Sequence, residues 1–440
     1  MKQIFLFLTL LCNMSLNAQT WTDPVNGLIY ESNGENATVS NGSNCKGNVE
    51  IKAQIELEGK TYNVTSIGAY AFYENSSVAS VTIPEGVKTI GEAAFWMCTN
   101  LTKVSIPCSV TDIESSAFAM CILLTSITIP EGVKTINEGA FYFCFSLSEI
   151  IIPNSVTNIG YHAFATCESL KSVAIPSSIT TIGNSVFAGC TSLTEIAIPN
   201  SVTNIGYHAF EGCQSLKSVA IPSSVTYISE EAFKGCSSLT SLTVDGDNKK
   251  YDSRNNCNAI IETETNELIV GCKNTIIPND IVYIGPSAFY GCTGLTEIII
   301  PEGVIGLDNS AFSGCSNLKS ITIPSSIAGI MGWYTFKDCS NLQTVIMRTK
   351  NPYGFNSITW EGIPSGDDKP NLIIPVGTKE IYKIEGWAEG FNIIEDDNTG
   401  IINAGNSKKR RNAVNLMGVP VDGNYNGIMI MNGRKILKRN

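Results

Sequence analysis

The sequence predicts a repeat solenoid, mainly β with short helical or 3-10 turns. It should coil right-handed with one parallel sheet face, a β cap at the N-terminus and a small α/β cap at the C-terminus. Three columns of residues carry this expectation. Phe72, Phe95, Phe118, Phe141, Phe164, Phe187, Phe210 and Phe233 follow one another at intervals of 23; so do the prolines from Pro84 to Pro222 and the cysteines from Cys98 to Cys236. Self-similarity at a fixed period of this size is the signature of stacked repeats, in which each lap buries its apolar face only against its neighbours.

Composition narrows the class. The 440 residues are 43% hydrophobic and 16% charged, against about 25% charged in an average soluble domain, so disorder is excluded. A net charge of −11 argues against a nucleic-acid binder. Two histidines leave little room for histidine chemistry, and fifteen cysteines demand an explanation.

Along the chain, Lys2 precedes the apolar run Ile4–Cys12 and Ala18 closes the stretch. This order reads as a signal peptide over 1–18, cut near Ala18, with Cys12 in the discarded part. The run is shorter than the ~20 residues a spanning helix needs, and no later segment qualifies, so no transmembrane helix is expected. Residues 19–62 lack the repeat but alternate apolar and polar around Gly34, Gly42 and Gly59, as a β cap would.

Residues 63–244 are regular laps. In the copy starting at Leu147, Ile150 and Ile152 alternate as in a short strand, which Pro153 stops because it has no N–H for the ladder. Val156 to Ile159 is a second extended edge, turned at Gly160, and Ala163, Phe164 and Cys167 have the spacing of a single helical turn. The block 245–277 breaks the period, and Ala259–Val270 within it reads as strand, polar turn, strand: a hairpin that replaces or extends two laps and can project from the body. Laps resume over 278–347 with Phe289, Phe312 and Phe336, the last delayed by one residue near Gly329. Residues 348–395 form the C-terminal cap, with a strand at Asn371–Pro375, a short helix over 378–384, and Trp387 and Phe391 sealing the last lap. Residues 396–440 are a linker and a basic β tail: 401–440 carry +7, leaving −18 on the rest.

The lap Leu-x-x-Ile-x-Ile-Pro-x-x-Val-x-x-Ile-Gly-x-x-Ala-Phe-x-x-Cys resembles the BspA-like leucine-rich repeat over roughly residues 61–347. The block Tyr251–Ile261 through Gly271–Thr275 is similar to an irregular repeat of that family, and Ile374–Lys379 with Trp387 to its cap. The resemblance implies an exported bacterial cell-surface or secreted protein that adheres to host extracellular proteins or other cells. The tail is similar to C-terminal segments of exported proteins, some read by the type IX route, with Met429 where those carry an aromatic. The family's motif positions are structural, so no binding residue follows from them.

No catalytic set, metal site or cofactor site is expected. His162 and His208 lie in identical decapeptides 46 residues apart, which reads as duplication rather than as one histidine held in a triad. The cysteine column offers neither converging metal ligands nor the Cβ spacing of a disulfide, so its members read as buried thiols. Cys257 and Cys272 flank the hairpin and can face each other; an exported chain permits that bond. The stretch Asp245–Lys250 puts lysines where a calcium loop needs an oxygen ligand and a glycine. Lys408–Arg411 reads as a solvated linker, or as a contact for acidic surfaces.

The expected ligand face is the outward side of the sheet. One column holds Lys103, Glu149, Ser172, Glu195 and Ser218, the other Ile151, Ala174, Ala197 and Ala220, with Ile299, Thr322 and Ile346 continuing it further on. The result is a flat apolar stripe rimmed by charge, suited to a protein partner; a plain sheet face in which alanine is harmless is the alternative. The expected protein is a monomeric adhesin or binding module for an extracellular protein ligand, such as a host matrix protein or another cell surface. The other readings are a secreted hydrolase using the irregular block and a passive spacer.

Overall fold

The computed structural model describes residues 19–327, 332–352 and 356–396 in full, and the backbone of four strands in the tail, Ala413–Asn415, Pro420–Val421, Gly427–Met431 and Arg434–Lys438. The expected signal peptide over 1–18, the delay near Gly329 and the basic run Lys408–Arg411 lie outside the described residues. The chain divides into two compact units, Met1–Asp252 and Ser253–Asn440. Both are β-solenoids of stacked coils with almost no helix.

The first unit opens with antiparallel pairs. Gln19–Thr22 lies against Ile29–Ser32, which lies against Asn36–Asn41. Asn36–Asn41 then pairs parallel with Lys60–Ile67, and from there every pairing between laps is parallel. The predicted sheet face is one of two such ladders. On the first, Gly47–Glu50, Val78–Thr82 and Lys103–Ser105 pair in sequence, then Ser126–Thr128 with Glu149–Ile151 and Ser218–Ile221 with Ser241–Val244. On the second, two-residue strands ending in Ile90, Ile113, Ile136 and Ile159 pair lap on lap.

The third side departs from expectation. Around Ala163–Cys167 there is no helical turn but a run of reverse turns. Ala163, Ala165 and Cys167 each donate their N–H to the carbonyl three residues back. The intervening His162, Phe164 and Thr166 donate to Asn184, Val186 and Ala188 of the next lap. His162 and Thr166 achieve this at positive φ, 56° and 61°. A helix would direct every N–H along its own axis; this alternation sends half of them across to the neighbouring coil and so makes a third ladder.

Inside these three walls the phenylalanines stack. From Phe72 to Phe233 successive ring centroids are 4.8 to 5.7 Å apart, and no pair is tilted by more than 15°. The spacing follows from the ~4.8 Å rise between paired strands. From Cys98 to Cys236 each column cysteine donates its thiol to the carbonyl of the phenylalanine one lap back, as Cys121 does to Phe95 at 3.2 Å and Cys144 to Phe118 at 3.1 Å.

In the second unit, Ala259–Glu262 and Glu267–Gly271 form an antiparallel hairpin. It does not project: Ala259, Ile260, Ile261 and Leu268 are fully buried, and Glu267–Gly271 continues as a parallel rung to Tyr283–Ile284. The continuous apolar run Ala259–Ile261, buried at every residue, leaves that strand no solvent-facing side to show. Phe289, Phe312 and Phe336 stack in turn, and Trp360 extends the column, its ring 4.4 Å from Phe336. Trp387 and Phe391 close it edge-on at 6.0 and 5.0 Å from Trp360. A helix spans Lys379–Ile384 beside the strand Asn371–Ile374. In the tail, Gly427–Met431 pairs antiparallel with Arg434–Lys438 and with Ala413–Asn415.

Candidate functional site

Register places the expected face. Ser80 pairs with Lys103, Ser126 with Glu149 and Thr128 with Ile151. Isolated bridges join Ala174 to Ala197 and Glu195 to Ser218, and Ser218 and Ala220 pair with Ser241 and Thr243. All nine residues from Lys103 to Ala220 are exposed on one side of the first unit, and Ile151 is 66% exposed.

The face is not uniform. Regular strands stop after Ile151 and resume at Ser218; between them the ladder is reduced to the two bridges. Where Ala174 meets Ala197, two methyl groups are all the side chains can offer to the cross-strand contact that normally helps hold a pair. The neighbouring pairs Thr128–Ile151 and Ala220–Thr243 each contain a β-branched residue and remain strands. The inward residues stay buried throughout, from Val104 at 7% and Ile150 at 8% in regular strands to Val173 at 6% and Ile196 at 8% between them. The stripe therefore coincides with the part of the ladder that is reduced to isolated bridges.

In the second unit the same outward column behaves otherwise. Ile299 is exposed, but Thr322 and Ile346 are buried, each 6% exposed. The expectation that this column stays open along its length fails here. Ile321, Ile323, Val345 and Met347, which alternate with them, form the core, whereas Thr322 and Ile346 are buried outside that cluster. These two strands are covered on both sides at Thr322 and Ile346, while Ser320 and Thr344 stay partly exposed.

The chemistry-bearing residues are occupied structurally. His208 Nδ1 lies 2.9 Å from Glu211 and Nε2 2.7 Å from Glu231, with the ring stacked on Tyr207 at 3.7 Å. His162, in the identical decapeptide, meets Tyr142 edge-on at 6.0 Å. The difference has two sources: Ala165 stands where the other lap has Glu211, and the following lap places Ser185 where the other places Glu231. Cys257 and Cys272 are both thiols, not a disulfide. The Cys257 sulfur points to the Ala259 carbonyl at 3.9 Å, while that of Cys272 points to Asn258 O at 3.5 Å and receives the Thr275 hydroxyl at 3.7 Å. Burial pushes the Cys98, Cys144 and Cys190 thiols up to about 12, which removes them as nucleophiles or metal ligands at neutral pH. Cys108, one residue beyond Pro107 and outside the 23-residue column, is an exposed thiol that the column pattern does not reveal. Among the described residues no group of His, Cys, Asp and Glu is placed to hold a metal ion, and no helix is long and apolar enough to cross a membrane.

The repeat is matched, in three overlapping stretches, 53–171, 158–268 and 259–359, by the family described as BspA type leucine rich repeat region. The chain belongs to that family. Among solved structures, this BspA-type chain is similar to a leucine rich cell surface protein from Faecalibacterium prausnitzii A2-165. The two are 26% identical, and the match covers 85% of this chain and 98% of that one with a TM-score of 0.58. A leucine-rich repeat protein from Bacteroides ovatus ATCC 8483 is also 26% identical, over 76% of this chain and 94% of that one, with a TM-score of 0.49. No curated protein matches the sequence.

Proposed function

We propose that this BspA-type chain is an exported, non-enzymatic surface protein that holds an extracellular protein ligand on the outward sheet face of its first unit. The ligand class is a host matrix protein or a component of another cell surface. One observation carries the reading: Ile151, Ala174, Ala197 and Ala220 succeed one another at the 23-residue period as an exposed stripe, rimmed by Lys103, Glu149 and Glu195, where the ladder is reduced to isolated bridges. Small side chains let a partner's backbone approach, and apolar area flanked by charge gives both burial and orientation. The family's occurrence on cell surfaces, as in the Faecalibacterium protein, supports the setting.

The test is retention of partners from a panel of matrix and cell-surface proteins by the mature chain, side by side with an Ala174→Glu/Ala197→Glu variant. Both positions are exposed, so the variant should fold and lose the partner. A parent chain that retains nothing, or a variant that binds as well as the parent, defeats the reading. Protease accessibility of the protein on intact cells tests export separately.

A further inference from the structure

The turn face of the first unit changes character along the stack. The second residue after each column phenylalanine has a positive φ: 58° at Glu74, 56° at Met97, 61° at Met120, 57° at Phe143 and 61° at Thr166, then 72° at Gly189, 68° at Gly212 and 73° at Gly235. That conformation crowds any Cβ and favours glycine. The backbone does the same work with either kind of residue: Met120 donates its N–H to Tyr142 O at 2.6 Å, and Gly212 donates to Lys234 O at 2.8 Å. The fold is thus made equally well by glycine, and the later laps use it. The laps of Phe95, Phe118 and Phe141 instead place Met97, Met120 and Phe143 there and leave them partly exposed, with Glu74 and Thr166 in the flanking laps. Strain retained where the same chain shows how to avoid it points to an interaction outside the fold.

The adjacent column agrees. Tyr73, Trp96 and Tyr142, with a buried Ala119 between the last two, stand where later laps have Ala165, Ala188, Glu211 and Lys234. Tyr73 and Trp96 stack at 4.7 Å, and Tyr142 lies against Phe143 at 4.1 Å. Leu123, 43% exposed, continues the apolar surface. Charge is one-sided: segments 68–78, 91–101, 114–124 and 137–147 contain Glu74, Glu92, Glu114 and Glu138 and no lysine or arginine.

We infer that the turn face of the first four laps is a second docking surface, and that it takes a polypeptide segment presenting lysine or arginine beside apolar side chains. Tryptophan, tyrosine and methionine are the residues enriched where proteins meet, and methionine adapts to varied apolar partners. Cations are drawn both to exposed ring faces and to the carboxylates around them. The chain makes this contact internally, with Lys60 over the Tyr62 ring at 4.7 Å. Methionine and leucine offer no hydrogen bonds to sugar hydroxyls, which favours a polypeptide over a saccharide. The surface lies on a different side of the coil from the alanine stripe, so the two readings stand or fall separately.

The test uses the mature chain and a Met97→Gly/Met120→Gly/Phe143→Gly variant, which adopts the chain's own later-lap residue and should melt no lower than the parent. The probe is a labelled amphipathic Lys/Leu peptide, with a Glu/Leu peptide and a soluble oligosaccharide as comparisons. The expected result is saturable binding of Lys/Leu alone, weakened by rising salt and lost by roughly tenfold or more in the glycine variant, with Ala174→Glu/Ala197→Glu unchanged. No binding by the parent, equal binding of Glu/Leu, equal binding by the glycine variant, or oligosaccharide binding that the variant loses would each overturn it.

Discussion

A thiol is the side chain that meets the demands of its position in this coil. The carbonyl of Phe118 already accepts the N–H of Cys121 at 3.3 Å and takes a second donor from the Cys144 thiol at 3.1 Å. The donor must sit in a dry column, so a group that is weakly polar and small costs least to bury. Cys144→Ala removes the donor and leaves a small void, and should lower unfolding free energy by about 1–2 kcal/mol. Cys144→Ser keeps a donor but buries a more strongly solvated hydroxyl, and should cost a comparable amount; urea titration of both variants checks this. Accessibility gives a second expectation. Among the described cysteines Cys108 alone is exposed, so a thiol reagent should modify one site rapidly in the folded mature chain and the rest only on unfolding. Cys108→Ser should abolish the rapid phase, and a fast phase that survives it would contradict the buried column.

At the scale of elements, each phenylalanine column starts under a glycine. Gly42 donates its N–H to Ala71 O and lies over the Phe72 ring; Gly271 donates to Ala288 O and lies over Phe289. A Cβ at either glycine would overlap the ring beneath it. Backbone thus caps the first aromatic of each column where a preceding ring would otherwise stack. Gly271→Val should destabilise by about 1–3 kcal/mol, the range for overpacking a filled core. Gly246→Val, whose added Cβ meets nothing within 4 Å, should leave the melting temperature near that of the parent. Within a column, Phe164→Ala should cost about 3–5 kcal/mol, because the neighbouring laps are held at strand spacing and cannot collapse into the gap. Thermal melts of the three variants check the order. At the far end Trp360 succeeds Phe336 after 24 residues, the interval already seen between Phe312 and Phe336. That lengthened step was the available sign of its role, and a search at 23 passes over it.

Across the whole chain, what the sequence made legible is what a strict period enforces. Equal spacing puts Phe164 over Phe141 and Ile151 beside Thr128, so the column and the outward face follow from counting. Features that depend on a neighbour's identity did not follow: the burial of Thr322 and Ile346, the glutamates around His208, and the positive φ of Met97, which methionine does not advertise as glycine does. The same stacking also fixes a response to alkali. Burial holds the Cys98, Cys144, Cys190 and Cys339 thiols near about 12, against an ordinary value of 9.0, and pushes Cys121, Cys167 and Cys315 up as well. Below 9 both folded and unfolded chains keep these protons, and the stabilisation is fully present. Between 9 and about 12 the unfolded chain releases them while the folded chain cannot, so stability falls as pH rises, by about 1.4 kcal/mol per thiol per pH unit. With several thiols acting together, cooperative unfolding should begin soon above pH 9, read by circular dichroism. The decisive comparison is Cys144→Ala/Cys190→Ala. It should be less stable than the parent at pH 7 yet lose less stability between pH 9 and 11, because two of the protons withheld by the fold are gone. Parallel curves for the two proteins would show that the thiols do not set the alkaline limit.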